Sequence, residues 1–372
     1  MLLKEFNFPK ENIRSDVDEI VAQHRNYENF LLNQITEGTP IILFSDLEGP
    51  HLIGDTALDV MKRFIPDDMG GKIYNATYEW YDPLYYKTGL GQEAGDIIMA
   101  LPLLLAHGVT GEKIVSIAAE SGRMKGSDKV IELVKNKGGK TFGITSAWSQ
   151  HHLERVQEIG MDGLFGTEFP IDEIRARFAG KPRFEIEMEQ IRKFTKSLGL
   201  GIICETGITP RYVNQLIGNF YTSELGVDFI NHGLQWKSII GDIINQLNVV
   251  GDKGKLDLFK KVRDKRPRIL VTMGDGLNDK KMLTESEWSI GVNGPDAVLG
   301  ATIGIVTNDM EVVADVIGVI ADGKASSPDE VMKIFRGDDR AIVHLGGGNT
   351  PSDLIEKHRE MRRKIRGVAA NF

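Results

Sequence analysis

Short apolar runs, each closed by glycine, proline or small polar residues, alternate along this chain with amphipathic stretches. Ile41-Ile42-Leu43-Phe44 runs into Ser45-Asp46-Leu47-Glu48-Gly49-Pro50, and Ile269-Leu270-Val271 runs into Thr272-Met273-Gly274-Asp275-Gly276. Both read as buried strands that Gly and Pro bring to an end. Lys140-Thr141-Phe142-Gly143-Ile144 is a weaker strand ending at Thr145-Ser146. Asp252-Lys253-Gly254-Lys255 opens a stretch with Leu256, Leu258, Phe259 and Val262, which predicts a helix. Strands alternating with helices imply an α/β fold: a parallel sheet with crossovers, and a site at the carboxyl ends of its strands. Ahead of the first strand, Ile13, Val17, Ile20 and Val21 stand at helical spacing and predict a helical preface over residues 1–35.

Carboxylates cluster at the strand ends. In Gly274-Asp275-Gly276-Leu277-Asn278-Asp279 the glycines force a turn and bring Asp275 and Asp279 into one small space. Oxygen ligands of this kind suit Mg²⁺, which is commonly held by one or two carboxylates together with a substrate phosphate. At the first strand's end, Asp46 and Glu48 alternate to the same side, about 7 Å apart along an extended chain. One carboxylate there can attack phosphorus while the other handles protons. Thr145 and Ser146 offer hydroxyls and backbone N–H groups to a phosphoryl oxygen. Lys253 lies at a predicted helix start, where anions are already favoured. Taken singly, each of these has a plainer reading as a solvated turn, a cap or an exposed lysine.

Together and in order, the four segments resemble the haloacid dehalogenase (HAD) superfamily of phosphatases and phosphotransferases. That family carries an Asp-x-Asp after its first strand, a Ser or Thr after the second, a Lys at a helix start, and a Gly-Asp-Gly-x-x-Asp-like pair. The form Gly274–Asp279 followed by Met282-Leu283 looks most like the phosphoserine phosphatase and Cof-type branches. The resemblance implies a Rossmann-like parallel sheet core with inserted cap domains. It implies Asp46 as nucleophile, Glu48 as general acid/base and Lys253 as the charge-neutralising lysine. Thr145, Ser146 and Asn278 would hold the phosphate, and Asp46, Glu48, Asp275 and Asp279 would hold Mg²⁺. Four carboxylates meeting there should repel one another when no cation is bound. The expected reaction is Mg²⁺-dependent hydrolysis of a small phosphorylated metabolite through an aspartyl-phosphate. The family's usual second Asp is Glu48 here, as in members with Asp-Leu-Glu-Gly or Asp-Ile-Glu-Gly, among them a homoserine phosphotransferase and an enolase-phosphatase. Transfer to another hydroxyl therefore stays open beside hydrolysis, as does an idle HAD-fold binding or assembly protein.

On this reading the catalytic core comprises residues 36–56, 121–170 and 246–320. Residues 57–120 form a cap insert, 171–245 a second cap or dimerisation element, and 321–372 a C-terminal extension. The first insert holds Tyr74, Tyr78, Trp80, Tyr81, Tyr85 and Tyr86, and the second is rich in Glu185, Glu187, Glu189, Arg192 and Lys193. A homo-oligomer is compatible with either insert.

Composition narrows the surroundings. Lys+Arg 45 against Asp+Glu 53 gives a net charge of −8, which argues against a nucleic-acid surface over the whole chain. The single Cys204 excludes an internal disulfide and fits a cytoplasmic location. No stretch has the ~18 uninterrupted apolar residues of a membrane span, and Met1-Leu2-Leu3-Lys4-Glu5 lacks the order of a signal peptide. Gly346-Gly347-Gly348 lacks the Lys-Ser/Thr of a P-loop and reads as a turn. His51 follows the first motif closely enough to touch substrate, and His151 and His152 begin an ordinary helix. Arg123 and Lys125 read as a solvated pair, and the basic stretch Lys357–Arg366 as a charged helix facing water.

Overall fold

The computed structural model describes residues 19, 22, 27–67, 69–77, 97–203, 210–225 and 238–367. Ile13, Val17, Ile20 and Val21 of the expected preface, Cys204, and the aromatic residues Tyr78, Trp80, Tyr81, Tyr85 and Tyr86 lie outside them. The chain divides into two compact units. One comprises Met1–Tyr27, Thr56–Ala118 and Thr167–Val249, the other Glu28–Asp55, Ala119–Gly166 and Val250–Phe372.

The second unit carries the sheet. Its strands are β1 (Ile42–Asp46), β2 (Leu52–Ile53), β3 (Gly122–Arg123), β4 (Lys140–Trp148), β5 (Gly163–Thr167), β6 (Leu270–Gly274), β7 (Trp288–Val292), β8 (Ile303–Val306) and β9 (Ile342–Leu345). Seven form one sheet in the order β5-β4-β1-β6-β7-β8-β9, and β2 and β3 make a separate antiparallel pair. β1 pairs in parallel with β4 and β6, β6 with β7, and β7 with β8, whereas β9 runs antiparallel along β8. Every residue of β1 is buried, as a central strand covered on both faces requires, which is why its sequence is a continuous apolar run rather than an alternation. The expected Rossmann-like α/β core is present.

Helices α1 (Ser127–Asn136), α2 (Leu153–Ile159), α3 (Asp252–Arg263), α4 (Lys280–Glu285), α5 (Glu311–Ala321), α6 (Pro328–Ile334) and α7 (Ser352–Arg366) belong to this unit. Val130, Ile131 and Val134 of α1 and Val313, Val316, Ile317 and Ile320 of α5 join Leu43, Val271, Ile290 and Ile305 of the strands in one buried cluster. Burying each such side chain contributes about 1.5–3 kcal/mol, as an upper bound against an extended unfolded chain. The end of the chain departs from its reading as an extension. Residues 321–372 supply α6, the seventh strand β9 and α7. The exposed edge of β8 would leave a row of unpaired backbone groups, and β9 satisfies them.

The other unit is helical and combines both expected inserts in one body. Within it, Glu187 is 1% exposed and accepts from the backbone N–H of Ile239 at 2.9 Å and of Ile240 at 3.3 Å, with Arg183 beside it at 3.4 Å. Burial pushes its carboxyl up to about 7 even though these donors favour the charged form. Asp172 accepts from Gly111 N–H at 2.9 Å and so closes the start of the helix Gly111–Glu120. Among the described residues no single helix is long and apolar enough to cross a membrane. The pair Ile98–Ala106 and Gly111–Glu120, bent by 118°, passes that test jointly, and its apolar side chains Ile98, Leu101, Leu104, Ile114 and Ile117 are buried within the unit.

Candidate active site

The carboxyl ends of β1 and β6 deliver the acids. Asp46 is the last residue of β1, and its Oδ1 accepts from Leu47 N–H at 2.9 Å. The turn after β6 folds back on Asp279, whose Oδ2 accepts from Asp275 N–H at 3.1 Å and Gly276 N–H at 2.9 Å. These bonds satisfy backbone groups that the turn would otherwise bury unpaired. Asp46, Asp275 and Asp279 are all buried, and each presents an oxygen within 4.8 Å of the others. Two glycines let the backbone pack directly against Asp275. A Cβ at Gly294 would stand 2.3 Å from the Asp275 carbonyl oxygen, and one at Gly49, whose φ is +116°, would stand 2.2 Å from Asp275 Oδ1.

Cations balance the acids. Lys255 is fully buried; its Nζ donates to Asp279 Oδ1 at 2.7 Å and stands 3.1 Å from Asp46 Oδ1. Burial alone would lower its pKa, but the charges of Asp279 and Asp46 outweigh burial and hold it above the ordinary lysine value. Asp46 is pushed well above the usual carboxylate range by burial and then by Asp279 and Asp275, against the pull of Lys255. From α7, Arg362 donates to the Asp275 carbonyl at 3.0 Å, and Arg366 Nη1 stands 3.4 Å from Asp275 Oδ2. Arg366 is only 13% exposed; burial would lower its pKa, yet Asp275, Glu48, Asp55 and Asp46 together raise it.

Several expected residues sit elsewhere than their spacing suggests. Lys253 is exposed, and the buried lysine is Lys255. The buried stripe of α3 runs Lys255, Leu258, Phe259, Val262, and Lys253 lies off it. Glu48 stands outside the acid triad, with Oε1 3.8 Å from the Nε2 of fully buried His152. Burial would lower the His152 pKa, but Glu48 and the Trp148 carbonyl, 3.0 Å from Nδ1, raise it. Repulsion acts among Asp46, Asp275 and Asp279, as the raised Asp46 carboxyl shows, but the fourth acid does not join it. Three acids converge with three cations, and the fourth acid has its own basic neighbour.

On β4, Ser146 accepts from Asn278 Nδ2 at 2.7 Å, tying the second segment to the fourth. The Thr145 hydroxyl instead accepts from Ala147 N–H at 2.9 Å. His51 is fully buried, not poised for substrate. Ser45 Oγ donates to the Asp46 carbonyl at 2.8 Å, so it accepts from His51 Nε2–H at 3.0 Å, and His51 Nδ1 accepts from Ser127 at 2.9 Å. This chain of bonds fixes the backbone that carries Asp46. Burial lowers the His51 pKa to about 3, which keeps the ring in the neutral form those bonds need.

The fold has a near counterpart. The structure of gene product AF1437 from Archaeoglobus fulgidus superposes with a TM-score of 0.72 at 21% sequence identity, covering 89% of this chain and 98% of that one. The two chains share a fold. A phospho-aspartyl intermediate analogue of phosphoserine phosphatase matches at TM-score 0.42 and 13% identity, over 75% of this chain and 99% of that one. Phosphoserine phosphatase in its apo form matches at TM-score 0.43 and 12% identity, over 75% and 98%. No family model matches the chain, and no curated protein matches it. The resemblance to the HAD superfamily accordingly rests on the motifs and on where a parallel sheet places them.

Proposed function

We propose that this protein is a Mg²⁺-dependent phosphomonoester phosphatase of the HAD superfamily, acting on a small phosphorylated metabolite through an aspartyl-phosphate on Asp46. The observation that carries this reading is the buried set of Asp46, Asp275 and Asp279 around Lys255 at the carboxyl end of a parallel sheet. A carboxylate held between a lysine and two acids, at the edge where such sheets bind ligands, suits attack on an anionic phosphoryl group.

The donor set fits a hard cation, since all three side chains offer carboxylate oxygens and, among the described residues, no sulfur or imidazole joins them. Asp46, Asp275 and Asp279 would hold it. When bound, Mg²⁺ supplies charge neutralisation of the phosphoryl oxygens and favours the ionised form of Asp46. The remaining work falls to the chain. Asp46 Oδ attacks phosphorus, a P–O bond to Asp46 forms, and the bond to the leaving oxygen breaks. Glu48 gives that oxygen a proton, then takes one from the water that cleaves the aspartyl-phosphate. His152, whose Nε2 stands 3.8 Å from Glu48 Oε1, holds that carboxyl in place beside the acid set. Lys255 holds the attacking and metal-facing carboxylates in place, and Ser146 with Asn278 offers hydrogen bonds to a phosphoryl oxygen. A screen of phosphorylated metabolites with Mg²⁺ tests the reading. Hydrolysis by the wild type that vanishes in Asp46→Asn supports it, and no turnover of any phosphomonoester by the Mg²⁺-loaded wild type overturns it.

A further inference from the structure

α7 brings a second feature to the site that the proposed chemistry does not use. Arg366 points its guanidinium at Asp275, with Nη1 3.4 Å from Oδ2, while its other terminal nitrogen, Nη2, is buried without a hydrogen-bond partner. A buried guanidinium nitrogen left unpaired is costly, and beside the acids it leaves a donor free to take an acceptor. Gly49 lies directly against it; a Cβ there would stand 2.5 Å from Nη2 and 2.2 Å from Asp275 Oδ1, so the absence of a side chain at this position is what lets the guanidinium and Asp275 lie side by side.

Charge points to what the acceptor is. Asp46, Asp275 and Asp279 are matched one for one by Lys255, Arg362 and Arg366, and Glu48 has His152 as its neighbour. A divalent cation added to this balanced set leaves a surplus of two positive charges. A phosphomonoester dianion cancels that surplus. Without the arginines the same site with its cation would be near neutral and would lose most of its preference for a dianion.

We propose, resting on the phosphatase reading, that Arg366 is a substrate-binding residue whose Nη2 takes an anionic oxygen of the bound phosphomonoester. That oxygen belongs either to the phosphoryl group or to a second acid group on the same substrate. The planar fork of arginine suits the task, one edge on Asp275 and the other on the ligand. Arg362 is a positioning residue, since its bond to the Asp275 carbonyl fixes α7 against the turn after β6.

The test compares the wild type with Arg366→Gln and Arg366→Lys at saturating Mg²⁺, with three readouts. Calorimetry gives the affinity for inorganic phosphate. Steady-state kinetics on p-nitrophenyl phosphate, which has no second acid, and on phosphoserine, which has a carboxylate, give KM and kcat separately. Thermal melting with and without Mg²⁺ reports folding and metal binding. Loss of one charge-assisted bond is expected to weaken phosphate binding or raise KM on the order of ten- to a hundredfold in Arg366→Gln, and less in Arg366→Lys. Equal losses on phosphate and both esters assign the contact to the phosphoryl group, and a loss confined to phosphoserine assigns it to the second acid. Unchanged phosphate affinity and unchanged KM on both esters, in a folded variant, overturn the inference while leaving the phosphatase reading intact. The inference is equally overturned if melting or Mg²⁺ response alone shifts, because that is what a purely structural arginine does. A wild type that binds no phosphate and hydrolyses neither ester overturns both.

Discussion

The difference between Lys253 and Lys255 is two residues in sequence and the whole distance from solvent to the middle of the site. Lys255 occupies an apolar position of an amphipathic helix, in step with Leu258, Phe259 and Val262, and that placement was legible from spacing alone. Its charge hid it, because a lysine counts as polar when a stripe is drawn. Lys255→Met leaves Asp46 and Asp279 buried without their cation and is expected to destabilise the protein by about 3–5 kcal/mol in urea denaturation. Lys253→Ala should leave the urea midpoint where it was. Equal effects of the two would show that Lys255 is not the buried partner of those acids. The nucleophile was readable from the Asp-x-Glu at the strand end, and Asp46→Asn should lower kcat on any turned-over phosphomonoester by a thousandfold or more, on the order seen when a nucleophile is removed, with its circular dichroism spectrum unchanged. Glu48→Gln should instead accumulate a slowly decaying phosphoenzyme from an activated aryl phosphate, since such a leaving group needs little protonation but water still needs a base. Acid-quenched labelling that finds no phosphate on Asp46 in this variant would remove the two-step route.

At the scale of elements, the strands ending in acids could be found from the sequence because burial on both faces writes itself as an unbroken apolar run. β9 and α7 could not. β9 is an antiparallel edge strand of four residues whose apolar run, Ala341-Ile342-Val343, is broken by His344 before Leu345. α7 reads as a solvated basic helix until its inward face is drawn. That face carries Ile355, His358, Arg362 and Arg366 at helical spacing, a stripe whose members are mostly polar. His358 is fully buried, and its Nε2 lies 2.9 Å from Nε2 of His344 on β9, so one ring donates and the other, which must be neutral, accepts. Burial, with His344 beside it, lowers the His358 pKa to about 3, and burial lowers that of His344 as well. A histidine with a depressed folded pKa contributes stability above its unfolded value near 6.5 and loses it as pH falls towards the folded value. From pH 6.5 to 5, His358 alone should cost up to about 1.4 kcal/mol per pH unit, with buried His51 acting in the same direction and the raised carboxyl of Glu187 in the opposite one, so the comparison with a His358 variant isolates its share. His358→Asn should flatten the dependence of stability on pH in that window, and an unchanged slope in denaturant melts would show that the pair is not what titrates.

For the whole molecule, the balance of three acids by three cations sets the response to metal. Mg²⁺ that binds only the folded state stabilises it by about 2.7 kcal/mol at a hundredfold excess over its dissociation constant. The wild-type melting temperature should therefore rise with millimolar Mg²⁺. In Asp275→Asn the response should shrink towards zero. Metal-free, that variant should melt lower than the wild type, because it leaves Arg366 and Arg362 facing a neutral amide in place of a carboxylate. A metal-free variant more stable than the wild type would mean that repulsion among the acids, not their pairing with the arginines, dominates the site.

The sheet unit is assembled from three separate stretches of chain, and its site draws Asp46 from the first, Ser146 from the second, and Lys255, Asp275, Asp279 and Arg366 from the third. During synthesis Asp46 emerges well before Lys255, Asp275, Asp279 and Arg366. A nascent chain therefore holds Asp46 long before it holds the lysine, the two acids and the arginine that surround it in the folded unit.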